Sequence, residues 1–506
     1  MRSALAILLI MFTLPSWGAS QNRDRFGIEM AGAVFTAALD FIAPRALEAV
    51  SVQDLAMWGL HGITTLDGAL TPSLADGVVT LRKGPTVLFE RAAPPPNNVD
   101  GWGALVADLT AAAWAGSPVI QNGGDQVVIT TFFDELFNHL DSYSRYVAPD
   151  AADEDRARRS GEAGAGIVLA PKGRSYVVQT VNADGPAAEA GIVAGDQIVA
   201  VDDQQTQGEE LETVLGWISG MEGTDVGLTV RSRNGHLRKV EIERVVMPPE
   251  TVFGSRTAEI ITLRVTGFSA DTDQRFGREL ERQLGRGGAG AVKGIVIDLR
   301  GNRGGLLRQA VAATDLLLKS GIIATTAGRS PQAAHQWRAS VEDIGTGKPV
   351  VVLVDGRTAS AAEIMAAALE DQGRAVVVGS STLGKGLVQT ISTLPDGGEL
   401  FVSWSRVLAP SGWPLQGLGV LPQVCTSLGT DSLSDQLDSL VHGDLTLATA
   451  LQRHRDARAP LPAAEIIEQR AACPAAEGRD GDLAAAKFLF SHPAAYTAAL
   501  LAPSPP

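Results

Sequence analysis

Apolar positions recur at helical intervals over residues 26–43, 52–60, 103–113 and 132–140, and again over 211–218, 272–284, 433–441, 463–470 and 483–490. Each of these stretches is expected to form an amphipathic helix. Shorter apolar runs at 176–181, 197–202, 259–265, 294–299, 350–354, 375–379 and 400–407 read as strands, and a strand-like excursion covers 78–89. Residues 224–232 and 237–246 flank Asn234-Gly235, a hairpin signal. Helices alternate with strands through residue 380, the order of a layered α/β core. The Pro-rich stretch 92–98 reads as a loop and the acidic-basic run 150–159 as a linker.

These breaks divide the chain into residues 21–155, mainly helical; 160–247, rich in strands; 251–425, the α/β core; and 426–506, helical. Residues 1–20 read as a signal peptide. Arg2 supplies the charged start, 4–14 an apolar core too short to span a bilayer, and 16–20 small residues for cleavage. Export follows, to the periplasm if the source is a Gram-negative bacterium, with no integral membrane span after cleavage.

At 506 residues the chain is too long for one core. A formal net charge of −15, with no basic run, argues against nucleic acid as a partner. Cys425 and Cys473 stand alone. A disulfide between them and two buried thiols are both open. No Cys, His or Glu cluster has metal-ligand spacing, so neither metal nor cofactor is expected. The seven histidines are scattered, and no Gly-x-Ser-x-Gly elbow surrounds Ser360.

The chemistry gathers between Val354 and Gln389. Ser360 follows a buried run and a Gly-bearing turn and precedes an Ala-rich helical stretch, so its hydroxyl would lie beside unpaired N–H groups at a helix start. Lys385 stands between Gly384 and Gly386, where backbone can approach closely. A lysine activates a serine only when its amine is neutral, and burial favours that form. Ser360-Ala361-Ala362-Glu363, Gly384-Lys385-Gly386 and Gln389, one helical turn beyond the lysine, resemble the active-site region of the carboxyl-terminal processing peptidases, or tail-specific proteases. The resemblance implies that Ser360 is the nucleophile, Lys385 the general base and Gln389 the group that orients the lysine.

Two other segments extend this resemblance. Asp298-Leu299-Arg300-Gly301-Asn302-Arg303-Gly304-Gly305 is similar to the family's Gly-Gly element, which implies that Gly304 or Gly305, with the N–H of Ala361, holds the oxyanion. The order of strands and helices in 160–247 resembles a permuted PDZ domain, with Gly164, Ala165, Gly166, Ile167 and Val168 as the peptide-binding loop and strand. The implied fold is multidomain α/β and α+β: a crotonase-like catalytic core with an inserted PDZ domain and helical N- and C-terminal regions. The implied activity is that of a serine endopeptidase whose partners are proteins or peptides with a free C-terminus. A homo-oligomer and a regulatory adaptor both stay open.

Overall fold

The computed structural model describes residues 27–182, 185–286 and 292–503. The expected signal peptide, 1–20, lies outside the described residues. Contacts divide the chain into two units, one of residues up to 149 together with 391–402, the other of 150–390 with 403–506.

In the first unit, helices Ile28–Ile42, Val52–Leu66, Val99–Gly116 and Asp125–Asn138 bury their apolar faces together. Ser51 starts the second of these, its hydroxyl accepting the Asp54 N–H at 3.0 Å. Phe35 and Phe132 meet at 4.5 Å between ring centroids. The strand-like excursion is a three-stranded antiparallel meander, Leu70–Ala75, Val78–Lys83 and Thr86–Ala92. Its first turn places Asp76 and Gly77 at φ 51° and 75°, which suits an Asp-Gly pair. Tyr146 is buried beneath the 391–402 segment, and its hydroxyl donates to Asp396 at 2.6 Å.

The second unit begins at a stretch that the sequence suggests is a linker. It is instead a helix, Pro149–Ser160. Arg156 pairs with Asp153, and Arg158 with Asp155 and Glu154, one helical turn apart. Next comes a sheet ordered Leu237–Glu243, Asp225–Arg231, Gln197–Val201, Ser175–Val181, Ile167–Lys172. Helix Leu211–Ile218 buries Val214 and Ile218 in the same core.

A six-stranded sheet follows, ordered Val252–Thr257, Ile260–Val265, Gly294–Asp298, Val350–Val354, Ala375–Gly379, Val424–Cys425. Only its first pair is antiparallel. Strands buried on both faces explain the unbroken apolar runs. Val350, Val352 and Val354 face helices Thr272–Gly285, Leu307–Asp315 and Ala361–Asp371, while Val351 and Leu353 face Leu489, Phe490 and Tyr496 of the C-terminal helices. The C-terminal region thus supplies a layer of the core. Cys425 and Cys473 are joined in a disulfide, their Cα atoms 5.7 Å apart, tying the last strand to that layer. Among the described residues no helix is long and apolar enough to cross a membrane.

Candidate active site

Strand Val350–Val354 runs into Asp355, whose carboxylate fixes the turn that follows. Its Oδ1 accepts the N–H groups of Gly301, Arg357 and Thr358, each at 3.0 Å. The exits of two neighbouring strands are thereby held together. Ser360 comes next at φ 57° and ψ −120°, on the left-handed side that residues with a Cβ rarely adopt. Such a conformation costs about 1–3 kcal/mol and persists only where its surroundings over-determine it.

Those surroundings are specific. Ala359 donates its N–H to Asn302 O at 2.9 Å, and Ser360 donates its own to Glu363 Oε2 at 2.7 Å. Glu363 is fully buried. The same Oε2 accepts the Lys385 N–H at 2.9 Å, while Oε1 accepts the Gly384 N–H at 2.6 Å and the Thr382 hydroxyl. Burial pushes the Glu363 carboxyl above its ordinary range, and the bonds from Thr382, Gly384, Ser360 and Lys385 oppose that rise. One carboxylate therefore binds the backbone of both residues that the motif reading singles out.

Lys385 is half-buried on a turn pressed against residues 415–419. A Cβ at Gly386 would lie 2.2 Å from Gln416 N, and one at Gly384, where φ is +85°, 2.9 Å from Gly417 C. Only glycines fit on either side of the lysine. Gln389 lies on a strand, Leu387–Thr393, rather than a helical turn. Lys385 stands on the turn just before that strand, and its Nζ lies 3.5 Å from Gln389 Oε1.

Gly304, at φ 99°, packs against the Ser360 turn, and Gly305, at φ 140°, against the backbone of Phe268. A Cβ on Gly304 would come within 2.8 Å of Ala359 O and 3.0 Å of Ala361 N. The Gly304 N–H donates to Asn302 Oδ1 at 2.8 Å, and Asn302 Nδ2 anchors on Val265 O at 2.9 Å. Among the described residues no protein acceptor takes the N–H of Gly305 or of Ala361. The sequence motifs assign Glu363 no role and do not include Thr382. The Ser-x-x-Glu spacing of a capping box was the available signal for the former.

The expected peptide-binding residues lie at the edge of the smaller sheet. Ile167–Lys172 is its last strand, Gly166 takes φ +74°, and Val168 is 53% exposed. Gly164, Ala165, Gly166, Ile167 and Val168 line a groove of ≈ 650 Å³ whose far wall includes Arg275, Arg278 and Glu279 of helix Thr272–Gly285.

Peptidase family S41 matches residues 259–426, and a PDZ domain matches residues 177–232. The carboxy-terminal-processing protease of Bartonella bacilliformis is 33% identical over 303 residues, covering 59% of this chain and 70% of that protein. The chain belongs to the carboxyl-terminal-processing serine peptidases. The carboxyl-terminal-processing protease of a Picosynechococcus species is likewise 33% identical, over 290 residues, 56% of this chain and 69% of that one. Among solved structures, the photosystem II D1 C-terminal processing protease aligns with 76% of this peptidase and 97% of its own chain at 23% identity, with a TM-score of 0.37. The S41 match spans Ser360, Lys385 and both glycines, and stops before Arg470 and Cys473.

Proposed function

We propose that this peptidase is exported, grips the free C-terminus of a protein substrate in its PDZ domain, and cleaves peptide bonds with a Ser360–Lys385 dyad through an acyl-enzyme. The observation that carries the reading is the shared acceptor, Glu363 Oε2, which fixes the backbones of Ser360 and Lys385 relative to each other. In the proposed reaction the neutral Lys385 amine takes the Ser360 proton as Oγ attacks the scissile carbonyl, and Gln389 Oε1 orients that amine. The ammonium then protonates the leaving amine, and water resolves the ester. Because the Gly304 N–H is already given to Asn302, Gly305 and Ala361 are the oxyanion donors in this reading, each contributing about 3–4 kcal/mol.

The catalytic core is read as crotonase-like, its Gly-Gly turn meeting the start of helix Ala361–Asp371. In the PDZ domain the substrate adds a strand beside Ile167–Lys172, with its terminal carboxylate at Gly164, Ala165 and Gly166. Export is supported by the pattern of residues 1–20 and by the paired cysteines, which suit an oxidising compartment. The test is covalent labelling of the purified protein with a fluorophosphonate. Labelling should be lost in Ser360→Ala and strongly slowed in Lys385→Ala. A Ser360→Ala protein that still cleaves unfolded protein would overturn the reading.

The groove's position favours one addition. Helix Thr272–Gly285 of the core forms part of the peptide groove's wall, so peptide bound there would also touch the core and gate it. Adding a free C-terminal peptide should then change the labelling rate at Ser360, whereas a mere tether would leave it unchanged.

A further inference from the structure

Besides packing on the second face of the sheet, the C-terminal region sends one side chain to the lysine turn. Arg470 closes helix Ala463–Arg470, outside the segment matched by the peptidase family. An arginine in a last helical turn commonly bonds its own helix's carbonyls. This one bonds other segments: Nη2 donates to Thr382 O at 2.7 Å, and Nη1 donates to Leu418 O and, at 3.4 Å, to Gly417 O.

Those carbonyls belong to the two backbone stretches that enclose Lys385. Thr382 lies three residues before the lysine and places its hydroxyl on Glu363, and Gly417 donates its N–H to Gly384 O at 2.9 Å. A guanidinium is a rigid planar fork, so it fixes the spacing of the carbonyls it bridges. Around it, His454 Nε2 lies 3.0 Å from Gly419 O and so carries the proton it donates there. Cys473, three residues on, is pinned to Cys425 by the disulfide. Burial pushes the Arg470 guanidinium below its ordinary range, and the nearby Glu363 carboxylate offsets part of that shift.

We propose that Arg470 is a positioning residue for catalysis, holding the Gly384-Lys385-Gly386 turn in register with Ser360. The proposal rests on the Ser360–Lys385 reading. Without the guanidinium, the carbonyls of Thr382 and Leu418 lose their donor, the turn relaxes, and Lys385 becomes better hydrated. A better hydrated lysine holds its proton to higher pH, and loss of a neighbouring cation acts in the same direction.

The experiment follows fluorophosphonate labelling of the full chain from about pH 5 to 10, extracting kinact and KI for wild type, Arg470→Gln, Arg470→Lys and Lys385→Ala. Arg470→Gln should lower kinact roughly 10- to 100-fold with little change in KI, and move the midpoint of its acid limb to higher pH. Arg470→Lys, which keeps the charge but not the fork, should recover only part of both. A folded Arg470→Gln protein with wild-type kinact and midpoint would overturn the proposal. So would a loss that matches the unfolded fraction while the midpoint stays put. If Arg470→Gln does not fold, Arg470→Lys decides: reduced kinact with a raised midpoint supports the role, and wild-type values refute it. Wild-type labelling of Lys385→Ala would instead overturn the dyad reading, and this proposal with it.

Discussion

Ser360 and Lys385 donate their backbone N–H groups to the same carboxylate oxygen, Glu363 Oε2, at 2.7 Å and 2.9 Å. Residues 25 positions apart in sequence are thereby fixed to one buried point. Glu363→Gln tests this bridge. The amide offers one acceptor oxygen and turns an N–H₂ toward donors, leaving a buried group unsatisfied at a cost of about 1–3 kcal/mol. Labelling at Ser360 should fall roughly 10- to 100-fold, with a lower urea midpoint. Unchanged labelling would show that the bridge has no bearing on reactivity.

Gly386→Ala asks whether the lysine turn tolerates any side chain. Its Cβ would lie 2.2 Å from Gln416 N, so either the turn or the 415–419 loop must shift. Since a displacement of about 1 Å costs on the order of 100-fold in rate, labelling should fall by at least that factor. Near-normal labelling would mean that the loop yields freely.

The sequence displays part of this arrangement openly. Ser360, Lys385 and the glycines beside them stand in short strings whose spacing survives in one dimension. The bridge through Glu363 was less legible, because it joins a side chain to backbone N–H groups that every residue type shares. Arg470 was illegible for the same reason, as its acceptors are carbonyls of Thr382, Gly417 and Leu418. In the fold, the strands at 294–298, 350–354 and 375–379 declared themselves by unbroken apolar runs. The C-terminal helices showed their periodicity but not their partner, the second face of that sheet. Residues 149–160 misled because a helix held by charge pairs has almost no apolar stripe to reveal it.

Removing the disulfide should destabilise the C-terminal layer. Joining residues 48 apart restricts the unfolded chain by about 4 kcal/mol in the loop-closure account. The Cys425→Ser, Cys473→Ser double variant should show a clearly lower Tm by calorimetry. A Tm equal to wild type would mean that the strand and tail stay joined without the covalent link.

Glu370, buried near the end of helix Ala361–Asp371, has an Oε1 without a hydrogen-bond partner among the described residues. Burial, then the Asp371 carboxylate, hold its carboxyl well above the ordinary range, with Arg455 opposing. A raised carboxyl favours folding fully below its unfolded pKa, and that contribution is lost as pH rises through the folded value. Glu370→Gln is permanently neutral. Its Tm should match wild type in acid, exceed it increasingly as pH rises from the unfolded to the folded pKa, and keep a constant excess above that. A constant difference across pH would contradict this account of Glu370.

The central claim is that a neutral Lys385 amine activates Ser360, and the pH dependence of fluorophosphonate acylation at Ser360 tests it most directly. The account predicts a rate that climbs as the lysine loses its proton, and a climb that disappears in Lys385→Ala. A flat profile between about pH 5 and 10, or a Lys385→Ala protein that retains the wild-type climb, would contradict it.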